Sequence, residues 1–265
     1  LKIQTYSADC MTFNSNRPEF RLKEGLWNNQ TLYELYQTAQ TPFSWVSPLF
    51  EKANDLGLTL FSSPFSTQAI ERLESANCPG YKIASFEAID IPLIKYVAST
   101  KKPIIISTGM ANMAEIKVAL ALLEQGIDKH EITVLHCNTE YPCKPENYNI
   151  EKLEKLSTIF NYRIIGYSDH LANKYLIPSL ILKDARIFEF HVVFDRKMFG
   201  PDSSSSLTPI EIKEMIDVDK PVIFDCRVTK EENCFPMIPS GKAHNEMILG
   251  PDDDDVITEE GKVLV

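Results

Sequence analysis

The sequence predicts an α/β fold, a (β/α)8 TIM barrel reduced to seven strands over residues 1–216 and followed by a short irregular tail. Three observations predict it. Short apolar, β-branched runs alternate with amphipathic stretches of helical period, so the repeating unit is a strand followed by a helix. Strands joined in this way are parallel with right-handed crossovers, which leaves either an open doubly wound sheet or a closed barrel. Polar residues recur at the carboxyl end of nearly every run, and that favours the barrel, whose loops all meet at one mouth.

In order, the strands are Lys2 to Tyr6, Leu58 to Ser63, Tyr81 to Ser85, Pro103 to Thr108, Ile132 to Asn138, Ile164 to Asp169 and Arg186 to His191. Between them Thr67 to Ala76, Met113 to Glu124 and Ile150 to Phe160 carry the helical pattern. A closed barrel needs one strand more than these seven. The deficit falls before Leu1, where the chain begins without a methionine and already inside a strand. After about Ile216 the texture changes: Lys220 to Val228 reads as one further strand, whereas 231–250 is loop-like, with Pro236, Pro239 and Gly241. An arc of seven strands would leave Lys2 to Tyr6 and Arg186 to His191 as unpaired edges, and the apolar Lys220 to Val228 segment is available to fill that gap. The run Asp252 to Asp255 lacks the glycine and closing glutamate of an EF-hand and reads as a solvated linker. The expected division is 1–216 for the barrel and 217–265 for the tail.

With 265 residues, 44% of them hydrophobic, the chain can bury a full core. A net charge of −10 without basic runs argues against nucleic acid or an anionic membrane as partner. Six cysteines without a CxxC pair suit reduced thiols in a cytoplasmic setting. No apolar run approaches the roughly 18 residues of a membrane-spanning helix.

Two segments carry the most chemical information, Gly166-Tyr-Ser-Asp-His and Phe188-Glu-Phe-His. Each delivers a histidine where a strand becomes a loop, beside Ser168, Asp169 and Glu189, so His170 and His191 can converge on one metal ion. A single histidine is more often structural; the argument rests on two at equivalent points of consecutive units. Other strand ends offer Lys2 and Gln4, Ser63, Lys82, Ser85 and Glu87, Ser107, Thr139 and Tyr141, and Ser168. Hydroxyls and a lysine around one mouth suit a phosphate, because neutral and charge-assisted donors together replace its hydration. Any one of these serines is ordinarily turn chemistry, and their recurrence is the signal. No Ser-His-Asp order, Walker loop or GxGxxG pattern is present, which takes support from hydrolase, P-loop and dinucleotide folds.

Lys2-Ile-Gln-Thr-Tyr, Phe61-Ser-Ser-Pro-Phe, Tyr81-Lys-Ile-Ala-Ser-Phe-Glu, Ile106-Ser-Thr-Gly-Met, Leu135-His-Cys with Tyr141-Pro, Gly166-Tyr-Ser-Asp-His and Gly200-Pro-Asp-Ser resemble the sialic acid synthase family. Gly25-Leu-Trp with Leu32-Tyr-Glu-Leu-Tyr is most similar to its pseudaminic acid synthase branch. The resemblance implies a (β/α)8 barrel that condenses phosphoenolpyruvate with an N-acetylated amino-sugar aldehyde and releases phosphate. It implies Mn2+ or Mg2+ on His170 and His191, with phosphoenolpyruvate held by Ser63, Lys82, Ser85, Ser107, Thr139 and Ser168. Glu87 and Tyr141 would line the reacting centre, with a counter-charge for Lys82 as the plainer role of Glu87; Lys2 and Gln4 would lie near the sugar. A homodimer is an admissible assembly.

The chain departs from the family's pattern in three places. Its match begins at the family's second strand, so the first strand's acidic residue and Asn-His-Gly-like turn are not represented. Phe190 stands where many members have a basic residue. In place of the family's antifreeze-like domain, which lends an arginine to the neighbouring subunit's active site, the residues from Lys220 onward resemble the carboxyl terminus of the acetolactate synthase catalytic subunit. That enzyme's thiamine diphosphate is not expected here, because the Gly-Asp-Gly to Asn motif that binds it is lacking. The competing reading is a non-catalytic truncated or chimaeric fragment.

Overall fold

Parallel pairing runs through every strand of the computed structural model, which describes residues 1–23, 29–140, 143–160, 164–198, 200, 202–216 and 223–226. The strands are β1 (Lys2–Thr5), β2 (Phe61–Pro64), β3 (Tyr81–Ile83), β4 (Ile104–Ser107), β5 (Ile132–Cys137), β6 (Ile164–Asp169), β7 (Ile187–Val192), β8 (Ser206–Leu207) and β9 (Ile223–Cys226). From β1 to β7 each pairs with the next, with Gln4 opposite Ser63, Lys82 opposite Ile105, Ser107 opposite Leu135, Cys137 opposite Ser168 and Ser168 opposite Glu189. The ring closes through β9, where Asp225 is the backbone partner of both Lys2 on β1 and His191 on β7.

The predicted barrel is therefore present with eight strands in its ring, and the eighth comes from the segment predicted to fill the gap. Closure has a plain cause. An open arc would leave the backbone donors and acceptors of β1 and β7 unpaired, and closing the ring through β9 pairs both edges at once. The two-residue β8 flanks the carboxyl end of β7, pairing Ser206 with His191; it is too short to leave a periodic signal in the sequence.

The helices follow from familiar local rules. Thr67–Ser75 starts at Ser66, whose hydroxyl accepts from the Ala69 amide, and Met113–Leu123 starts with an Asn112/Glu115 capping box. One boundary differs from expectation. Leu58 to Leu60 were assigned to the second strand, but Leu58 N–H bonds to the Ala53 carbonyl and Gly57 N–H to Asn54, with Gly57 at φ 66°. Gly57 and Leu58 finish the helix Val46–Asp55 with a left-handed glycine cap, and the strand starts only at Phe61.

Strand residues alternate between the barrel interior and the surrounding helices. Ile104, Ile106, Tyr81, Ile83, Phe188 and Phe190 are buried in the main apolar cluster together with Leu73, Ile94, Val97, Leu120 and Leu123 from the helices. Phe190, unusual on family grounds, is thereby explained as a core side chain that is 2% exposed. Gly166 is required where it stands: a Cβ there would lie 2.2 Å from the Ile187 carbonyl oxygen, so any side chain would push β6 away from β7. Residues 231–265, with the acidic run and most of the tail resemblance, lie outside the described residues.

Candidate active site

Alternation on six strands delivers the interior set to the carboxyl end of the barrel, where a cavity of about 410 Å³ opens. Lys2 and Gln4 from β1, Lys82 from β3, Ser107 from β4, Cys137 from β5, Ser168 from β6 and Glu189 and His191 from β7 line it. The loops that follow add Ser85, Glu87, Thr139, His170 and Asp202. Ten of the twelve residues singled out from the sequence thus share one cavity. Ser63 is on the same pleat face as Gln4 but is fully buried outside the lining, with its hydroxyl making no hydrogen bond. Tyr141 lies outside the described residues.

The electrostatic centre is a triad. Lys82 Nζ donates to both oxygens of Glu189 at 2.8 and 2.9 Å, and Lys2 Nζ stands 3.0 Å from Oε2. The Ser168 hydroxyl donates to Oε1 at 2.8 Å. All three charged groups are 4% exposed or less. Burial by itself would raise the Glu189 carboxyl, but the charges of Lys2 and Lys82 and the bonds from Lys82 and Ser168 outweigh it and hold the group well below the usual carboxylate range. Burial lowers Lys82, with Glu189 opposing that shift. Two ammonium groups face one carboxylate here, an arrangement with lysine donors to offer an anion. Lys2, expected near the sugar, stands beside Lys82, with both ammonium groups on Glu189.

Glu87 does not neutralise Lys82; Glu189 does. Glu87 instead sits in the turn Phe86–Ile89 with Oε2 buried and without a hydrogen bond. Burial, aided by the charge of Asp90, pushes its carboxyl up to about 7. The Ser107 hydroxyl is likewise buried without a hydrogen bond at the cavity wall.

His170 and His191 meet as stacked rings, with centroids 5.2 Å apart and planes at 29°. His170 Nδ1 bonds to the Asn138 carbonyl, which can only accept, so this nitrogen carries the proton and Nε2 keeps its lone pair in the neutral ring. Among the described residues no group of three or more His, Cys, Asp or Glu is arranged to hold a metal ion. Part of the cavity wall is aromatic: Tyr6 packs edge-on against Phe65 at 5.5 Å and Tyr36 at 6.1 Å, with Met11 also in the lining.

Sequence reasoning placed Glu189 beside His191 without giving it a role, and it passed over Cys137, Asp202 and the aromatic wall. The period of two was the usable signal for Glu189, since a residue two before an inward histidine on a strand is itself inward.

Fold and cavity define a (β/α)8 barrel with a cationic, hydroxyl-lined and histidine-bearing pocket at its carboxyl mouth. The chain belongs to the NeuB family, which matches residues 1–222, and so to the sialic acid synthases whose motifs it carries. It is 43% identical over 221 residues to the pseudaminic acid synthase of Helicobacter pylori, covering 83% of this chain and 64% of that protein. It is 38% identical over 219 residues to the pseudaminic acid synthase of Campylobacter jejuni, covering 82% and 63%. The chain thus spans a little under two thirds of the length of these relatives. The N-acetylneuraminic acid synthetase of Leptospira borgpetersenii, solved with citrate, superposes with a TM-score of 0.69 at 25% identity, covering 82% of this chain and 70% of that one. Among the described residues no helix is long and apolar enough to cross a membrane.

Proposed function

We propose that this chain is the barrel of a nonulosonic acid synthase of the pseudaminic acid branch, joining phosphoenolpyruvate to an N-acetylated amino-sugar aldehyde with release of phosphate. The observation that carries the reading is the convergence of the Lys2–Glu189–Lys82 triad, the hydroxyls of Ser85, Ser107, Thr139 and Ser168, and the paired histidines in one cavity. The triad and hydroxyls take the anionic groups of phosphoenolpyruvate. The aromatic wall of Tyr6, Tyr36 and Phe65 takes the less polar face of the sugar.

The donor set fits a divalent metal such as Mn2+ or Mg2+: two buried imidazoles from adjacent strands, one with its tautomer set by a backbone carbonyl, leave the remaining positions to water and substrate oxygen. Such a metal supplies Lewis-acid polarisation of the aldehyde oxygen. In the reaction the enol carbon of phosphoenolpyruvate forms a bond to the aldehyde carbon, leaving positive charge at C2. Water adds there, and phosphate departs with cleavage of its C–O bond. Glu87, in the cavity and titrating near neutrality, is suited to take the proton of that water.

Purified protein given phosphoenolpyruvate, an N-acetylated amino sugar and Mn2+ should release phosphate. His191→Ala should lose both the release and Mn2+ binding while its thermal melt stays cooperative. No release from the parent chain would favour the second reading, a non-catalytic fragment. One observation supports that alternative: β9, which closes the ring between β7 and β1, lies just beyond the residues 1–222 that match the family.

A further inference from the structure

Lys2 and Lys82 lie on strands separated by β2, yet their ammonium groups are held at one carboxylate. Two like charges repel strongly in a buried site, and a lysine side chain is a flexible four-carbon tether. Neither property would bring two lysines to one point. Glu189 does so, with its own position set by the Ser168 hydroxyl at 2.8 Å and by its place on a central strand of the ring. Lys82 spends two of its three N–H donors on this carboxylate, which fixes the direction of the third.

We propose that Glu189 is the positioning residue of the anion site: it gathers Lys2 and Lys82 so that both address a single incoming phosphate or carboxylate. The inference deepens the reading of the cavity as a phosphoenolpyruvate site and rests on it. It differs sharply from the simpler role of counter-charge. If Glu189 only offset positive charge, its removal would leave the site more cationic and anions would bind more tightly. If it positions the lysines, removal disperses them and binding weakens despite the gain in net positive charge.

The test uses the whole chain with Glu189→Gln and Glu189→Asp, titrated calorimetrically with inorganic phosphate and with phosphoenolpyruvate. In parallel, acetylation rates of individual lysines are mapped by mass spectrometry without any ligand. Positioning predicts affinity for phosphoenolpyruvate about tenfold weaker in Glu189→Gln. It also predicts a several-fold rise in labelling at Lys2 and Lys82, with Lys102 on the outer surface of the barrel unchanged. Tighter anion binding, or unaltered labelling at both cavity lysines, would overturn it. If Glu189→Gln does not fold, Glu189→Asp decides, because it keeps the charge and loses only reach: weaker binding supports positioning and parental binding refutes it. If the parent chain binds neither anion, the phosphoenolpyruvate reading fails, and the labelling alone still decides whether Glu189 holds the lysines.

Discussion

Strand β3 carries a lysine–glutamate cluster on each of its faces. Inward, Lys82 meets Glu189 with side-chain exposures of 2% and 6%. Outward, Tyr81 donates its hydroxyl to Glu74, which also accepts from Lys102 at 2.5 Å, and the exposures of that pair are 26% and 39%. Lys102 lies 5.8 Å over the Tyr81 ring and bonds the Cys78 carbonyl at 2.8 Å, so it ties a helix end to the sheet. The residue types are the same and the surroundings are not. Water screens the outer pair and accepts either partner if the other is lost, whereas the inner charges are buried and lean on one another.

The largest expected difference between the two clusters is in stability. Glu189→Leu should cost about 3–5 kcal/mol in urea unfolding, because it strands two buried ammonium groups, whereas Glu74→Gln should cost no more than about 1 kcal/mol. Equal costs would erase the distinction. In binding, Lys82→Met should weaken phosphoenolpyruvate by roughly 1.5–3 kcal/mol, the scale of a charge-assisted hydrogen bond, and Lys102→Met should leave the calorimetric affinity unchanged.

A third test turns on Glu87, a carboxyl on the cavity side whose folded value is raised from 4.5 to about 7. A raised acid favours the folded state below about 4.5, and that advantage is lost as pH rises through about 7. Glu87→Gln should therefore gain stability relative to the parent, on the order of 1–3 kcal/mol, between pH 5 and pH 8. A parallel pair of melting curves across that range would show that the carboxyl is not shifted. The smallest effect is that of salt. Raising NaCl from about 0.05 to about 1 M should erode the Lys102–Glu74 contribution by a few tenths of a kcal/mol and leave the inner triad's untouched, as read from double-mutant cycles at each concentration.

The lysine–glutamate pairing shows where sequence reasoning stops. Glu87, five residues from Lys82, is the plainer sequence candidate for its counter-charge, beside a place at the reacting centre, yet the actual partner is 107 residues away. Period-two alternation put Glu189 on the inner face of its strand, but only the curl of the sheet brings β3, β7 and β1 to one axis. The histidines were easier, because β6 and β7 are neighbours in both chain and space, so strand-end placement alone set them side by side. Strand boundaries were legible wherever the β-branched run was bounded by its own turn. They failed at Leu58 to Leu60, where Leu58 closes the end of a preceding helix and the strand pairing begins only at Phe61.

The repeating strand–helix unit, the polar residues at strand ends, the pair of histidines and the family are all legible in local period and motif. The sequence also marked 220–228 as a strand in want of a sheet. Tertiary structure alone decided that β9 closes the ring with Asp225 between Lys2 and His191, and that Glu189 rather than Glu87 holds Lys82. Both decisions depend on closing the barrel, which satisfies the backbone of two edges at once and brings inward side chains from distant strands to one small volume. No segment of the chain carries that constraint by itself.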